Sequence, residues 1–432
     1  MMQSVLEINC TPPAVDEFPV ELFSTQQLVN GAIVVPVLLT VYSFIAIAIV
    51  CDEYFVPVVE KICTDLNVPS DIGGATFMAI ATAAPELFIN IVGTFVTKGD
   101  IGLGTIVGSA VFNNLAVTAC CGLTLAIIGA EIQLERWSIT RDSLVYGVSA
   151  CLLIVFLNNE KIEWFEAMIL VLLYIAYIVF LVFDKKIQTL VKRKHPSEES
   201  GKQEDAPKVE DGDEESNDNE TTSVWKFPSK SNCFSQGAWV INWPINFAFF
   251  VTIPSGEKLK SKVWISLAFL MCIIWIGILS YVLSWMITII GDTLRIPDSV
   301  MGITFLAIGA GVPEAASSIA VVKHGNGAMG ISNSLGSNTL DILLCLGLPW
   351  LLKSSLASDN KWVNINSSGL QYSAFSLLVT LVAFYLAIWV NKFKLNKWVG
   401  LYTLIVYLIF IVFASLIELN VFFEVNLPTC RK

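Results

Sequence analysis

Two carboxylates stand where a charge is costly. Glu86 and Glu314 each follow a proline inside a long apolar run, in the segments GATFMAIATAAPE (74–86) and GITFLAIGAGVPE (302–314), which share seven of thirteen residues at an offset of 228. The same offset carries Gly108-Ser109-Ala110-Val111-Phe112-Asn113 onto Gly336-Ser337-Asn338-Thr339-Leu340-Asp341. A charge at the centre of a membrane helix costs about 2.5–3.5 kcal/mol on an insertion scale, so each acid needs a compensating partner, and a cation is the simplest. Pro85 and Pro313 each remove a backbone donor and strain the carbonyl four residues back. This predicts a half-helix ending at Ala84-Pro85 and another at Val312-Pro313, with carbonyls freed near Ala81, Thr82, Gly309 and Ala310.

Helical spacing sets what accompanies the acids. Asn90 and Ser318 lie four residues beyond Glu86 and Glu314, on the same face. The second motif presents Ser109 with Asn113, or Ser337 with Asp341, again four apart. Two halves facing one another would gather Glu86, Asn113, Glu314 and Asp341 around one point. All-oxygen ligation with several carboxylates is what a hard divalent ion such as Ca²⁺ prefers. A lone intramembrane Glu could serve a proton relay or a structural hydrogen bond, but three acids at repeat-related positions fit a cation site better.

The elements that must hold these residues are membrane helices. The 432 residues are 55% apolar and 15% charged, with a mean hydropathy of +0.68, which is too apolar for a soluble globule. Runs long enough to span, at about 20 residues, occur near 31–57, 72–97, 104–128, 139–157 and 163–183, and again near 263–290, 298–322, 328–352, 370–391 and 398–418. Repeated, Pro-interrupted membrane helices carrying acids point to a transport site near the bilayer midplane.

Trp239 to Ile253 is also apolar but short, and it contains Pro244. Orientation follows from Lys and Arg in the short loops. With the loop after the fifth run inside, Lys185, Lys186, Lys192, Arg193 and Lys194 are cytoplasmic, as are Arg136, Arg141 and Lys61, and the N-terminus is outside. If 239–253 does not span, Lys258, Lys260, Lys262, Lys323, Lys392, Lys394 and Lys397 are also inside, and the repeats are inverted. A span there would send all of these outside and make the repeats parallel.

The expected fold is therefore an all-α polytopic membrane protein with two inverted five-helix repeats. It has ten membrane helices, or eleven if 239–253 crosses. The organisation reads as an extracellular segment 1–30, a first half 31–184 with its repeat at 72–128, and a cytoplasmic disordered acidic loop 185–237. An interfacial segment 238–262, a second half 263–418 with its repeat at 298–352, and a tail 419–432 follow.

Residues 198–220 carry eleven acids against Lys202 and Lys208, and so supply nine of the eleven net negative charges. That composition suits a solvated tether and lacks the D-x-D-x-D-G pattern of a calcium loop. No nucleic-acid footprint is present. The ten cysteines and two histidines form no C-x-x-C or Cys/His cluster, so most cysteines read as small core hydrophobes. Cys10 and Cys430 lie in the two polar termini, where a disulfide between them is open. Asn9 and Asn366 begin glycosylation sequons, and no cleavable signal peptide is visible.

The segments FMAIATAAPELF with GDIGLGTIVGSAVFNNL, and GVPE with SNSLGSNTLDILLCLGLPW, resemble the two alpha repeats of the potassium-dependent sodium/calcium exchangers, in the cation/calcium exchanger superfamily. VCDEYFVPVVEKIC and the tail IELNVFFEVNLPTC extend the resemblance over nearly the whole chain outside the acidic loop. It implies calcium carboxylates at Glu86 and Glu314. It also implies a potassium-linked acid at Asp341, where potassium-independent exchangers usually carry asparagine. Further ion ligands fall on Thr82, Ser109, Asn113, Ser337 and Asn338. The chain departs from the family pattern where Ala83, Ala310 and Gly311 replace hydroxyl residues and Glu314 replaces an aspartate, which bears mainly on sodium.

The resemblance implies a secondary active antiporter that exchanges calcium, with potassium co-transported, for sodium by alternating access. The alternatives are a calcium/cation exchanger without sodium or potassium dependence, coupled to protons through the same acids, and a non-transporting regulatory paralogue. A passive channel would need a filter open to both sides, and no nucleophile-base pair suggests an enzyme. Ca²⁺, K⁺ and Na⁺ are cargo, and no cofactor is implied. The expected partners are inorganic cations and the bilayer, without nucleic acid and with the oligomeric state open. The plasma membrane is the expected location, with an organelle membrane as the alternative.

Overall fold

The computed structural model describes residues 14–19, 23–65, 79–97, 101–159, 161–194, 233–254, 261–323, 327–357, 362–365 and 369–422. The first half contains α1 (Val34–Asp65), α2 (Ala84–Thr97), α3 (Ile101–Ile128), α4 (Arg136–Leu157) and α5 (Trp164–Lys194). The second contains α6 (Lys262–Leu294), α7 (298–323), α8 (327–357), α9 (Gly369–Val390) and α10 (Lys397–Glu418). Among the described residues nine of these are long and apolar enough to cross a membrane, and Ala84–Thr97 is a shorter apolar tenth. Helices lie in all ten expected runs, the second of them described only as Ala79–Thr82 and Ala84–Thr97. α1 continues well past the apolar run ending at residue 57, through a wide π turn at Val50–Phe55 that contains Asp52 and Glu53.

Contacts across the chain fix how the halves face each other. Asn338 on α8 bonds the Ala110 carbonyl of α3, and Ser334, one turn earlier, bonds the Asn113 carbonyl, so α3 and α8 are antiparallel. Asn90 and the later Thr94 on α2 meet Cys345 and the later Lys353 on α8, so that pair is parallel. α1 and α6 are antiparallel, with Phe55 against Phe269 (5.5 Å) and Leu28, just before α1, clustered with Met286 and Ile289. Third helix antiparallel to third helix, and first to first, is the signature of an inverted repeat.

Two short strand pairs tie the loops in the same way. β1 (Ile132–Gln133), between α3 and α4, pairs with β4 (Lys394–Leu395), between α9 and α10. β2 (Lys161–Glu163), between α4 and α5, pairs with β3 (Trp362–Asn364), before α9. Exchanging the two halves converts one pair into the other.

Two apolar cores follow. One joins α3, α4 and α5 to α8, α9 and α10 through residues such as Leu115, Leu153, Leu170, Leu346, Phe384 and Phe410. The other joins α1 to α6 through Ala46, Val50, Cys272 and Ile276. Close approach of α3 to α7 at the centre depends on missing side chains. A Cβ added to Gly108 would lie 2.3 Å from the Ile303 carbonyl, and one added to Gly104 would lie 2.9 Å from that of Ser299. At the end of α10, the buried Glu418 carboxylate accepts from Ser299 of α7 (2.7 Å) and Ser373 of α9 (3.4 Å), which fastens three helix ends together.

The segment read as 239–253 is longer than its apolar run: Cys233–Thr252 is one helix that passes through Pro244. Phe249 packs edge-on to Trp275 of α6 (5.1 Å) and to Tyr54 of α1 (5.7 Å), and Trp275 donates to Thr252 (2.8 Å). The acidic stretch 198–220, the sequons at Asn9 and Asn366, and Cys10 and Cys430 lie outside the described residues. The seven cysteines whose side chains are described are unpaired; five are buried, whereas Cys120 is half-buried and Cys151 is exposed on α4.

Candidate cation-binding site

In the first repeat the chain leaves the helix just before the acid. Ala79–Thr82 ends at Ala83, whose backbone (φ −87°, ψ 7°) departs from helical geometry, and α2 starts afresh at Ala84 with Pro85 in its first turn. Proline suits that position because first-turn amides have no partner within the helix. Glu86 thus stands at the amino end of a helix, where the backbone dipoles favour a negative charge.

The second repeat differs from expectation. Ala307–Lys323 runs unbroken through Pro313, so no half-helix ends at Val312-Pro313. The Phe44 and Phe112 rings lie directly against this stretch: a Cβ added to Gly309 would fall 2.0 Å from Phe44, and one added to Gly311 would fall 2.3 Å from Phe112. That packing holds the helix together despite the missing donor.

The second motifs are alike. Wide π turns occur at Phe112–Val117 in α3 and at Asp341–Leu346 in α8, nearly in repeat register, and they contain Asn113 and Asp341. Such turns are frequent at functional sites. Ser109 donates to the Ile106 carbonyl (3.2 Å) and Ser337 to the Ser334 carbonyl (3.0 Å), the same contact in each repeat. The Ser109 proton is engaged by its own helix, which leaves the oxygen lone pairs for a cation, whereas Ser337 can turn its proton to Ser334 or to Glu314.

Glu86, Asn113, Asn338 and Asp341 are all buried, at 2%, 0%, 0% and 1% exposure. Glu314 is half-buried, with Ser337 within hydrogen-bonding reach of its carboxyl. Glu86 lies within electrostatic reach of both Asp341 and Glu314, and Asp341 within reach of Glu314. Several atoms here form no hydrogen bond: Glu86 Oε2, both amide atoms of Asn113, Asn338 Oδ1 and Asp341 Oδ1. A buried polar group left unsatisfied costs about 1–3 kcal/mol, and four of these five atoms are oxygens, so the cluster calls for a bound cation. Among the described residues no three His, Cys, Asp or Glu side chains form a ready ligand cluster. The ligand set is instead mixed, carboxylates together with the buried amides of Asn113 and Asn338.

Neighbouring residues hold that set in place. Asn338 donates both to the Ala110 carbonyl (3.2 Å) and to Asn114 Oδ1 (2.9 Å), which fixes its own oxygen. Asn90 donates to the Cys345 carbonyl (2.5 Å), and Cys345 Sγ lies 3.8 Å from the Ala83 carbonyl and beside Asp341. Thr82 is half-buried at the end of the short helix before the break. Asn114, Ser334, Cys345, Tyr146 and Tyr174 are additions that the motifs did not single out. Cys345 carried a signal, since it lies four residues after Asp341; the two tyrosines carried none.

Gly311 explains one departure sterically. Phe112 occupies the space in which a side chain at 311 would begin, and it packs edge-on to Tyr407 (5.8 Å). Gly311→Ser is therefore expected to cost about 1–3 kcal/mol through overpacking, read as a lower thermal midpoint of the purified protein. Adding Phe112→Leu, the residue type at the repeat-equivalent position 340, should restore most of that loss. A Gly311→Ser protein as stable as wild type would show that the ring is free to move.

A family model described as "Sodium/calcium exchanger protein" matches residues 36–183 and 264–416. The mouse sodium/potassium/calcium exchanger 4 is 33% identical, over 98% of this chain and 88% of its own length. The human sodium/potassium/calcium exchanger 5 is 34% identical, over 96% of this chain and 89% of its own. A solved structure described as the H⁺/Ca²⁺ exchanger CAX superposes with a TM-score of 0.54 at 12% identity, covering 88% of this chain and 87% of that one, and so shares the fold.

Proposed function

This chain belongs to the potassium-dependent branch of the sodium/calcium exchanger family, and on that premise we propose that it is a secondary active antiporter. It carries Ca²⁺ together with K⁺ in one direction and Na⁺ in the other, by alternating access at the interface of its inverted repeats. The observation that carries this reading is the meeting of Glu86, Glu314 and Asp341 from antiparallel repeats, buried and within electrostatic reach of one another. Together they bring three negative charges, which one Ca²⁺ and one K⁺ neutralise. The oxygens of Asn113 and Asn338 supply neutral ligands, as do Ser109, Ser337 and Thr82. Vesicles containing the protein and loaded with Na⁺ should accumulate ⁴⁵Ca²⁺ when diluted into sodium-free medium. No accumulation above protein-free vesicles would sink the reading.

A second reading has one observation behind it. Ala83 and Ala310 are buried and Phe112 covers Gly311, so the hydroxyls absent from the first two are not replaced by a side chain at the third. If a pH gradient drives ⁴⁵Ca²⁺ uptake and a sodium gradient does not, coupling is to protons.

The same reading places 1–30 outside, 185–237 in the cytoplasm and 238–262 at the membrane interface. A single crossing by Cys233–Thr252 would turn over every later helix and make α3 and α8 parallel; their hydrogen bonds support the alternative. At the β1–β4 end Lys394 pairs with Glu131 (3.6 Å) and Arg136 lies over Phe393 (5.7 Å), a basic rim that suits the cytoplasmic side. A cysteine introduced at Gly256 should be shielded from an impermeant thiol reagent added outside, and one at Asn360 should react. Labelling at Gly256 from outside would overturn this topology.

A further inference from the structure

Asp341 has a second polar neighbourhood, apart from Glu86 and Glu314. Tyr146 of α4 and Tyr174 of α5 come from helices outside the motif segments 72–128 and 298–352, and their side chains are 0% and 6% exposed. The Tyr146 hydroxyl faces Asn114, with Asp341 within reach beyond it. Tyr174 lies within reach of Asp341 and Cys345. The Tyr174 hydroxyl, Asn338 Oδ1 and Asp341 Oδ1 form no hydrogen bond, and the Tyr146 hydroxyl has Asn114 Nδ2 beside it. Asn338 cannot relieve the others, because its amino group is already given to Ala110 and Asn114.

A buried carboxylate oxygen, an amide oxygen and a phenol oxygen left without partners call for an occupant. The chemistry of the set identifies the occupant. It offers one charge, two phenol oxygens and an amide oxygen. A divalent ion is better served by several carboxylates, whereas a monovalent ion can exchange its hydration shell for neutral dipoles around a single charge.

We propose that Tyr146 and Tyr174 complete, with Asn338 and Asp341, a pocket that holds K⁺ beside the calcium carboxylates. The two tyrosines are its specificity-determining residues. This rests on the exchange reading above and adds ligands that neither repeat motif supplies.

The test is a binding measurement on the purified full-length protein, so that it does not depend on transport. Thermal midpoints are titrated with KCl at fixed CaCl₂ and with CaCl₂ at fixed KCl, with N-methylglucamine chloride holding the ionic strength. In the Tyr146→Phe/Tyr174→Phe protein the half-saturating K⁺ concentration should rise at least about tenfold, while that for Ca²⁺ stays within about twofold. Phenylalanine keeps the ring volume, and the two single variants, each expected to shift K⁺ by about threefold, carry the test if the double variant is not monodisperse. An unmoved K⁺ value, or equal shifts for both ions, would overturn the proposal. A wild-type protein that responds to Ca²⁺ but not to K⁺ would overturn it while leaving exchange intact. Response to neither ion would remove both readings.

Discussion

Glu86→Gln and Glu314→Gln proteins should each reach the membrane normally and lose nearly all calcium transport. Removing one charge from a buried, mutually arranged set costs about 2–5 kcal/mol, equivalent to about 30- to 5000-fold in apparent calcium affinity. Glutamine keeps a carbonyl oxygen and nearly the same volume, so the loss reports charge and not packing. Insertion should be unharmed or eased, because an intramembrane charge has been removed. The two variants need not be equal. Glu86 is deeply buried at a helix start, and Glu314 is half-buried within an unbroken helix. ⁴⁵Ca²⁺ uptake over a range of calcium concentrations, normalised to surface protein, checks this. Near-normal flux in either variant would show that the repeats do not share one calcium site.

Asp341→Asn should free transport from potassium without abolishing calcium exchange. The offset of 228 pairs Asp341 with Asn113, so the substitution makes the two halves chemically alike at this position. With Glu86 and Glu314 balancing a divalent ion, the third carboxylate stays uncompensated in the membrane unless a monovalent cation accompanies it. Asparagine can still ligate but no longer demands charge balance. Calcium flux with K⁺ outside or with N-methylglucamine should agree within about twofold, a difference of about 0.4 kcal/mol. A variant inactive under both conditions would place Asp341 in the calcium site itself.

The reach of the sequence followed the repeat. An exact offset exposed Glu86, Glu314, Asn113 and Asp341 before any contact was known, because a duplicated motif repeats in the chain as well as in space. Lysine and arginine counts indicated inverted halves, and the pairing of Asn338 and Ser334 with α3 gives the same antiparallel order. Local rules failed where tertiary packing overrode them. Pro313 was expected to break its helix as Pro85 does, but Phe44 and Phe112 lie against Gly309 and Gly311 and the helix continues. Tyr146 and Tyr174 were invisible for a different reason: a tyrosine in an apolar helix reads as packing, and only the fold brings α4 and α5 behind Asp341. The pairing of Ile132 with Leu395 joins strands of two residues, too short to leave a periodic pattern.

The central claim, that three carboxylates form one site loaded by Ca²⁺ and a monovalent cation together, can be tested in a single vesicle preparation. Sodium-loaded vesicles containing the protein are diluted into ⁴⁵Ca²⁺ and ⁸⁶Rb⁺, the latter standing in for K⁺, and both tracers are counted in the same samples. The two ions should enter together, each requiring the other and the outward sodium gradient, and in Asp341→Asn vesicles calcium should enter alone. Calcium entry at an equal rate without K⁺ or Rb⁺, with no rubidium carried by the wild-type protein, would contradict the account.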